Sequence, residues 1–331
     1  MRVFVLGDVN MDLAAFVDHF PTIGEDVRAG GYANTPGGGG LNVAVAYSKL
    51  DDQAPYLISC VGADYAGDQI VHRLSQIGIS STYISRSHGV PTGQILVIVT
   101  PDGERTMVSC RGANEHLSPD TITPDLFEPA DGLIVSGYSL LRSPQMDAAS
   151  RAIQIAHQAG AHVLVDTARD PAIQFPKRFQ NIFPWVDTLV VGKEDGMALT
   201  GAEEENDMFE KLIEMGIGQV ALKKGRLGCV LADHEDTIIQ PGFPVKSIDS
   251  TGAGDAFSAG LLFATLRGLP LPERAVMANA LGAFATTFTS AGINYPAKKD
   301  FITFLDQLQM RKLNLETRSR LARVISLLKG N

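Results

Sequence analysis

The sequence predicts an α/β protein with a central, mostly parallel sheet, helices on both faces and a small antiparallel β lid. Three observations predict it: short β-branched runs alternate with helix-patterned stretches, two segments break that alternation, and the part after Asp249 is rich in helical patterns. Val3–Leu6, Tyr56–Cys60, Leu133–Ser136, His162–Asp166, Thr188–Val191 and Gln219–Leu222 read as buried strands, because their apolar residues run together instead of alternating. Between them Leu41–Leu50, Ala66–Ile77, Ser143–Ala159 and Asp207–Met215 carry the helical period.

The two exceptions are Phe16–Tyr32 and Gly93–Cys110, the second being two alternating strands about the turn Pro101-Asp102-Gly103. They read as a flap inserted into the α/β domain, with lid strands at about 13–35 and 92–112; an edge hairpin is the alternative. Gly254–Arg267, Leu271–Thr289 and Ala297–Met310 read as helices, and Arg311–Lys329 as a packed surface helix with Leu321, Val324, Ile325 and Leu328 on one side.

Of 331 residues, 45 % are hydrophobic and 20 % charged, the balance of a globular chain with an ample core. The formal net charge of −9 opposes general attraction to nucleic acid or to an anionic membrane, so neither is expected as a partner. A small-molecule substrate fits better. Cys60, Cys110 and Cys229 lack the spacing of a zinc site. The first apolar run is too short for a signal peptide or a membrane span, which leads to the expectation of a cytoplasmic protein.

The sharpest local signal is Asp249-Ser250-Thr251-Gly252-Ala253-Gly254-Asp255, immediately before an apolar helix. Small residues let backbone amides approach an anion, and the helix N-terminus adds its dipole. Asp255 is then placed to accept a proton from an attacking hydroxyl; the alternative is an Asp that caps the helix beside a glycine turn. Pro36-Gly37-Gly38-Gly39-Gly40-Leu41-Asn42 is a second glycine run leading into a helix, suited to close backbone approach to a polyol or, alternatively, a flexible loop. Gly7-Asp8-Val9-Asn10-Met11-Asp12 follows the first strand, where open sheets bind ligands; Asp8 reads there as satisfying the turn. Walker and GxGxxG sequences are missing, and Gly192-Lys193 is followed by Glu194 instead of Ser or Thr.

These two glycine segments resemble the signatures of the ribokinase-like (PfkB) carbohydrate kinases, and the resemblance extends to about Leu308. It implies one ribokinase-like kinase domain over 1–331, phosphorylating a primary hydroxyl on a sugar or sugar-like substrate. By resemblance Asp255 is the base and Gly252, Ala253 and Gly254 form the anion hole. Asp12, Gly38, Gly39 and Asn42 hold the sugar, with Arg105 and Tyr138 as further substrate contacts, unless Arg105 forms only a local salt bridge and Tyr138 is core. Gly39 stands where ribokinases commonly carry Lys, which weakens a ribose assignment.

On the nucleotide side, Lys223, Gly225 and Gly228 match the strand-to-turn motif that holds phosphate and ribose, although a solvated lysine is the alternative for Lys223. Thr251, Asn279 and the loop Ala291-Gly292-Ile293-Asn294 fall where the family binds ATP. Asp195 and Asp166 are candidates for contacting magnesium (Mg2+) through water. Asp195 is the shorter counterpart of a family Glu, Gly192 replaces the family Asn, and Lys193 is a candidate to compensate. The same ATP-site loop region, with Asp249 and Thr251, corresponds to a potassium (K+) site in some members, and a homodimer through the lid is expected. A nucleoside kinase of the same fold and a non-catalytic sugar-binding protein remain as alternatives.

Overall fold

A computed structural model describes residues 1–289, 292–311 and 313–330. The strands are β1 (Val3–Leu6), β2 (Asn10–Phe16), β3 (Gly31–Gly37), β4 (Tyr56–Gly62), β5 (Ile84–Ser87), β6 (Gly93–Val99), β7 (Arg105–Cys110), β8 (Gly132–Ser136), β9 (His162–Asp166), β10 (Thr188–Val191), β11 (Gln219–Lys223), β12 (Gly228–Asp233) and β13 (Thr237–Pro241). The helices are α1 (Gly39–Ser48), α2 (Tyr65–Gln76), α3 (Gln145–Gln158), α4 (Arg169–Gln174), α5 (Pro176–Gln180), α6 (Lys193–Thr200), α7 (Glu205–Glu214), α8 (Ala253–Leu266), α9 (Leu271–Ala285), α10 (Lys298–Gln309) and α11 (Leu315–Lys329).

Nine strands make one sheet in the order β13-β12-β11-β10-β9-β8-β1-β4-β5, parallel except where β12 pairs antiparallel with β11 and β13. The six expected strands are its centre. Sequence reading missed β5 and β13 because edge strands bury one side only and carry mixed residues, and β12 because it starts inside a glycine turn. Side chains alternate across β1: Val3 and Val5 enter a core with α1, α2 and α8 to α11, while Phe4 and Leu6 enter one with α3 to α7. The last helix packs as expected, with Leu321, Val324, Ile325 and Leu328 buried.

From β1 the chain winds to β4 and β5 on one side and returns through β8 to the other. The C-terminal ends of β1 and β8 therefore diverge into a crevice, the usual ligand position in open α/β sheets. The lid rises there as a second sheet, β3-β2-β6-β7. Each of its hairpins, β2–β3 and β6–β7, is antiparallel, and β2 joins β6 in parallel. Its strands span 10–37 and 93–110, so the first begins three residues before the expected edge.

Asn114, fully buried, pins this crevice. Its Oδ1 accepts from Val9 N–H at 2.8 Å, and its Nδ2 donates to the carbonyls of Val9 and Arg111 and to Asn10 Oδ1. Asp8 does not bond the turn's backbone as expected. Its carboxylate takes two 2.8 Å bonds from Arg111 and one of 2.9 Å from Gln145, tying β1 to the segment after the lid. Replacing Asn114 by Ala strands several buried groups at once, so it should lower unfolding free energy by about 3 kcal/mol in chemical denaturation. A loss below about 1 kcal/mol would mean that the crevice is held by other contacts.

Candidate active site

Helix α8 begins at the glycine signature, and Gly252 caps it with φ 75°, a left-handed conformation that costs other residues strain. The first-turn amides of α8 have no acceptor within the helix and face the crevice, as an anion hole requires. One of the three expected donors is committed elsewhere: the Ala253 amide donates to the Ser250 carbonyl at 3.2 Å, closing the turn.

Asp255 projects from that turn into the crevice, where Asn42 Nδ2 donates to its Oδ2 at 2.8 Å. Burial pushes the Asp255 carboxyl up to about 6; Asp166 adds to the rise, while the Asn42 bond and the Lys223 charge oppose it. The glycine run of α1 lies against this group. A Cβ on Gly39 would stand 3.7 Å from Asp255 Oδ1, and Gly38, at φ 98°, could carry none without meeting the Asp8 carbonyl. Gly37, two residues earlier, abuts the carboxylate of Asp12. Burial alone raises the Asp12 carboxyl to about 6. Asp12 Oδ1 and Asn42 Oδ1 are both buried with no hydrogen-bond partner among the described residues. Two buried acceptors without donors suit a ligand rich in hydroxyl groups.

Tyr138 follows β8 and is 41 % exposed, so it is no core residue. Partial burial of its ring, with the charges of Asp170, Asp255 and Asp8, raises its phenol pKa. Arg105 departs from the expected substrate contact. Its guanidinium donates to Asp249 Oδ2 at 2.7 Å and Thr251 Oγ1 at 2.6 Å, spanning lid and catalytic loop, because the inner face of the lid ends over that loop.

Beside the N-terminus of α8 a cavity of about 610 Å³ is lined by Lys223, Gly225, Gly228 and Asn279, all expected on the nucleotide side, and by Gly254, expected in the anion hole. Thr251 is not part of its wall; its neighbour Ser250 is. Asn279 Nδ2 donates to the Pro241 carbonyl at 2.9 Å, so its amide serves the wall itself. Phe243, Val245, Phe257 and Ala283 complete an apolar face that sequence reading missed, since nothing in Gly242–Ser247 marks it as more than a linker. Of the loop expected where the family binds ATP, Ala291 lies outside the described residues, and Gly292 abuts the Pro36 carbonyl.

Lys223 Nζ pairs with both oxygens of Asp166 at 2.8 and 2.9 Å, and Ser258 Oγ donates to the same carboxylate at 2.7 Å. Burial disfavours the charged ammonium, but Asp166, with Asp255 and Asp195 behind it, outweighs burial and raises the Lys223 pKa. Asp195 is also occupied: it accepts from the Gly192 amide at 2.9 Å and from Thr167 Oγ1, capping α6 from within. Lys193 leans toward Glu205, 3.8 Å away, so it does not take the place of the family Asn. Asp166 has both oxygens engaged and Asp195 has its Oδ2 engaged, and no cluster of three metal-binding side chains occurs among the described residues. These residues fit a magnesium ion carried on nucleotide phosphates better than one held by the chain. At the place expected to hold potassium, the Arg105 guanidinium engages the side chains of both Asp249 and Thr251, while Ala291 of the loop expected to share that place lies outside the described residues.

A profile of the pfkB family carbohydrate kinases matches residues 1–298. The chain is 28 % identical over 309 residues to the ribokinase of Haemophilus influenzae, covering 91 % of this chain and 97 % of that protein. The crystal structure of ribokinase from Thermotoga maritima matches with a TM-score of 0.80 at 26 % identity, over 92 % of this chain and 99 % of that one. The aminoimidazole riboside kinase from Salmonella enterica, complexed with aminoimidazole riboside and an ATP analog, matches with a TM-score of 0.78 at 25 % identity and the same coverage. With the family match running over residues 1–298, this chain belongs to the pfkB family of carbohydrate kinases.

Proposed function

We propose that this carbohydrate kinase transfers the γ-phosphoryl group of ATP to a primary hydroxyl of a small sugar or sugar-like substrate, with Asp255 as the base. The observation that carries this reading is the position of Asp255. It stands between a glycine loop flanked by unpartnered buried acceptors and a helix N-terminus that opens on the 610 Å³ cavity. In its carboxylate form Asp255 accepts the hydroxyl proton, Asp12 and Asn42 orient the sugar, and the first-turn amides of α8 meet the charge that develops on the phosphoryl oxygens. Lys223 adds a cation beside them, and magnesium entering with the nucleotide supplies further charge neutralisation. Gly39, without a side chain to reach the sugar, favours substrates other than ribose.

A riboside substrate is the second reading, supported by the solved structure of a related kinase with aminoimidazole riboside and by half-exposed Tyr138, an aromatic face at the C-terminal end of β8. A non-catalytic sugar binder fits poorly, since such a protein has no use for an enclosed carboxylate at a helix N-terminus.

A homodimer through the lid belongs to the same proposal. On the outer face of the lid Leu13, Leu96 and Val108 stand side by side in one row across β2, β6 and β7, each exposed by 39–55 %. A second copy offers the same apolar row, the self-complementarity a twofold interface requires. The chain should therefore sediment near twice its 35.4 kDa, and Leu96→Lys with Val108→Asp should convert it to monomer; a monomeric wild type at micromolar concentration would remove the lid interface.

The direct test of the activity is ADP formation with magnesium-ATP over a panel of ketoses, aldoses, keto-deoxy acids and nucleosides. One member should turn over, and Asp255→Asn should lose about 10²–10⁴-fold in kcat without unfolding. Near-wild-type turnover in that variant would dismiss Asp255 as base; saturable binding with no turnover on any member would favour the binding protein.

A further inference from the structure

We infer that Arg105 is a positioning residue, a latch that binds the lid to the catalytic loop and takes the place a monovalent cation would have beside Asp249. It opens β7 at the far end of the lid hairpin. Strand register puts it on the same face as Asp12, because both pair through odd-numbered β6 positions, Val99 and Ile95. From there its guanidinium spans 144 residues of sequence to reach Asp249 Oδ2 and bonds Thr251 Oγ1 with a second nitrogen. Asp249 Oδ1 in turn accepts the Thr251 amide at 3.0 Å, so Arg105, Asp249 and Thr251 are joined to one another by three hydrogen bonds.

That set sits immediately before Gly252, the residue that caps α8 and aims its first amides. The Asp249 side chain is 4 % exposed and that of Arg105 29 %, so the ion pair is shielded where it matters. Burial works against the Asp249 carboxylate, yet the Thr251 bonds and Arg105 hold it below the usual range. With the lid raised, Asp249 would lose its nearest cation and the loop one of its anchors. Closure over substrate and alignment of the anion hole are thereby one event. Two fork-shaped donors on two acceptors need a guanidinium; a lysine reaches one of them.

The inference rests on the reading of α8 as the anion hole, and its test has one arm that needs no substrate. Hydrogen exchange on the full chain should quicken together in 105–110 and 249–257 in Arg105→Gln, quicken likewise in Asp249→Asn, and go no further in the double variant. Exchange that changes in one segment only, or in neither, overturns the latch whatever the enzyme phosphorylates. In turnover with the panel's best sugar, Arg105→Gln should lose kcat by about 10²-fold with sugar KM little changed. Added millimolar guanidinium should restore part of that loss, Arg105→Lys should fall between, and wild-type rates should be equal in sodium and potassium buffers. A raised sugar KM with intact kcat would make Arg105 a substrate contact, and a wild-type requirement for potassium would return the cation to Asp249; either outcome overturns the proposal.

Discussion

The hydrogen bond from Asn42 to Asp255, 2.8 Å long, joins parts of the chain 213 residues apart, and the arrangement of the site follows from it. Asn42 belongs to the helix that leaves the first half of the fold, and Asp255 to the helix that starts after the sheet is complete. Each is held by glycines that let backbone pass where a side chain would collide. Bringing them together places the glycine loop with its unpartnered acceptors and the 610 Å³ cavity on opposite flanks of a single carboxylate. Asn114 and the Asp8–Arg111 pair fix the floor beneath it, so the positions of Asp12 and the lid are inherited from the same crossing.

Enclosing that carboxylate has a thermodynamic consequence. Burial pushes the carboxyls of Asp255 and Asp12 up to about 6, above the ordinary value of 3.8. The native state thus binds more protons than the unfolded state between about pH 4 and pH 6, and stability falls as pH rises through that window. Above it, each charged group costs roughly 3 kcal/mol relative to a solvated carboxylate. A general base must be charged, so under the proposed role the site is stable in one protonation state and active in the other. The Asn42 bond and the Lys223 charge reduce that cost, and a sugar hydroxyl donating to Asp12 would reduce it further.

Local signals carried far in the sequence where the physics is local. The central strands are continuous apolar runs, the helices keep their period, and the glycine signatures mark places where backbone must approach an anion or another chain segment. What stayed hidden depends on partners distant in sequence. Asp195 and Asp166 look like free carboxylates at strand and helix ends, but the fold brings Thr167 and the Gly192 amide to one and Lys223 and Ser258 to the other. Arg105 has no feature in the lid sequence that points to Asp249. The apolar wall of the cavity combines Phe243, Phe257 and Ala283 from three elements, none distinctive alone.

The central claim, that an enclosed Asp255 is held poised between its two forms near neutrality, is tested most directly by a carboxyl-carbon NMR titration of aspartate-labelled protein, with Asp255→Asn to identify the resonance. A resonance absent from the variant and titrating near pH 6 is the predicted result. Titration of that resonance near pH 4, the value of a solvated carboxylate, would show that water reaches Asp255 freely and would contradict the account.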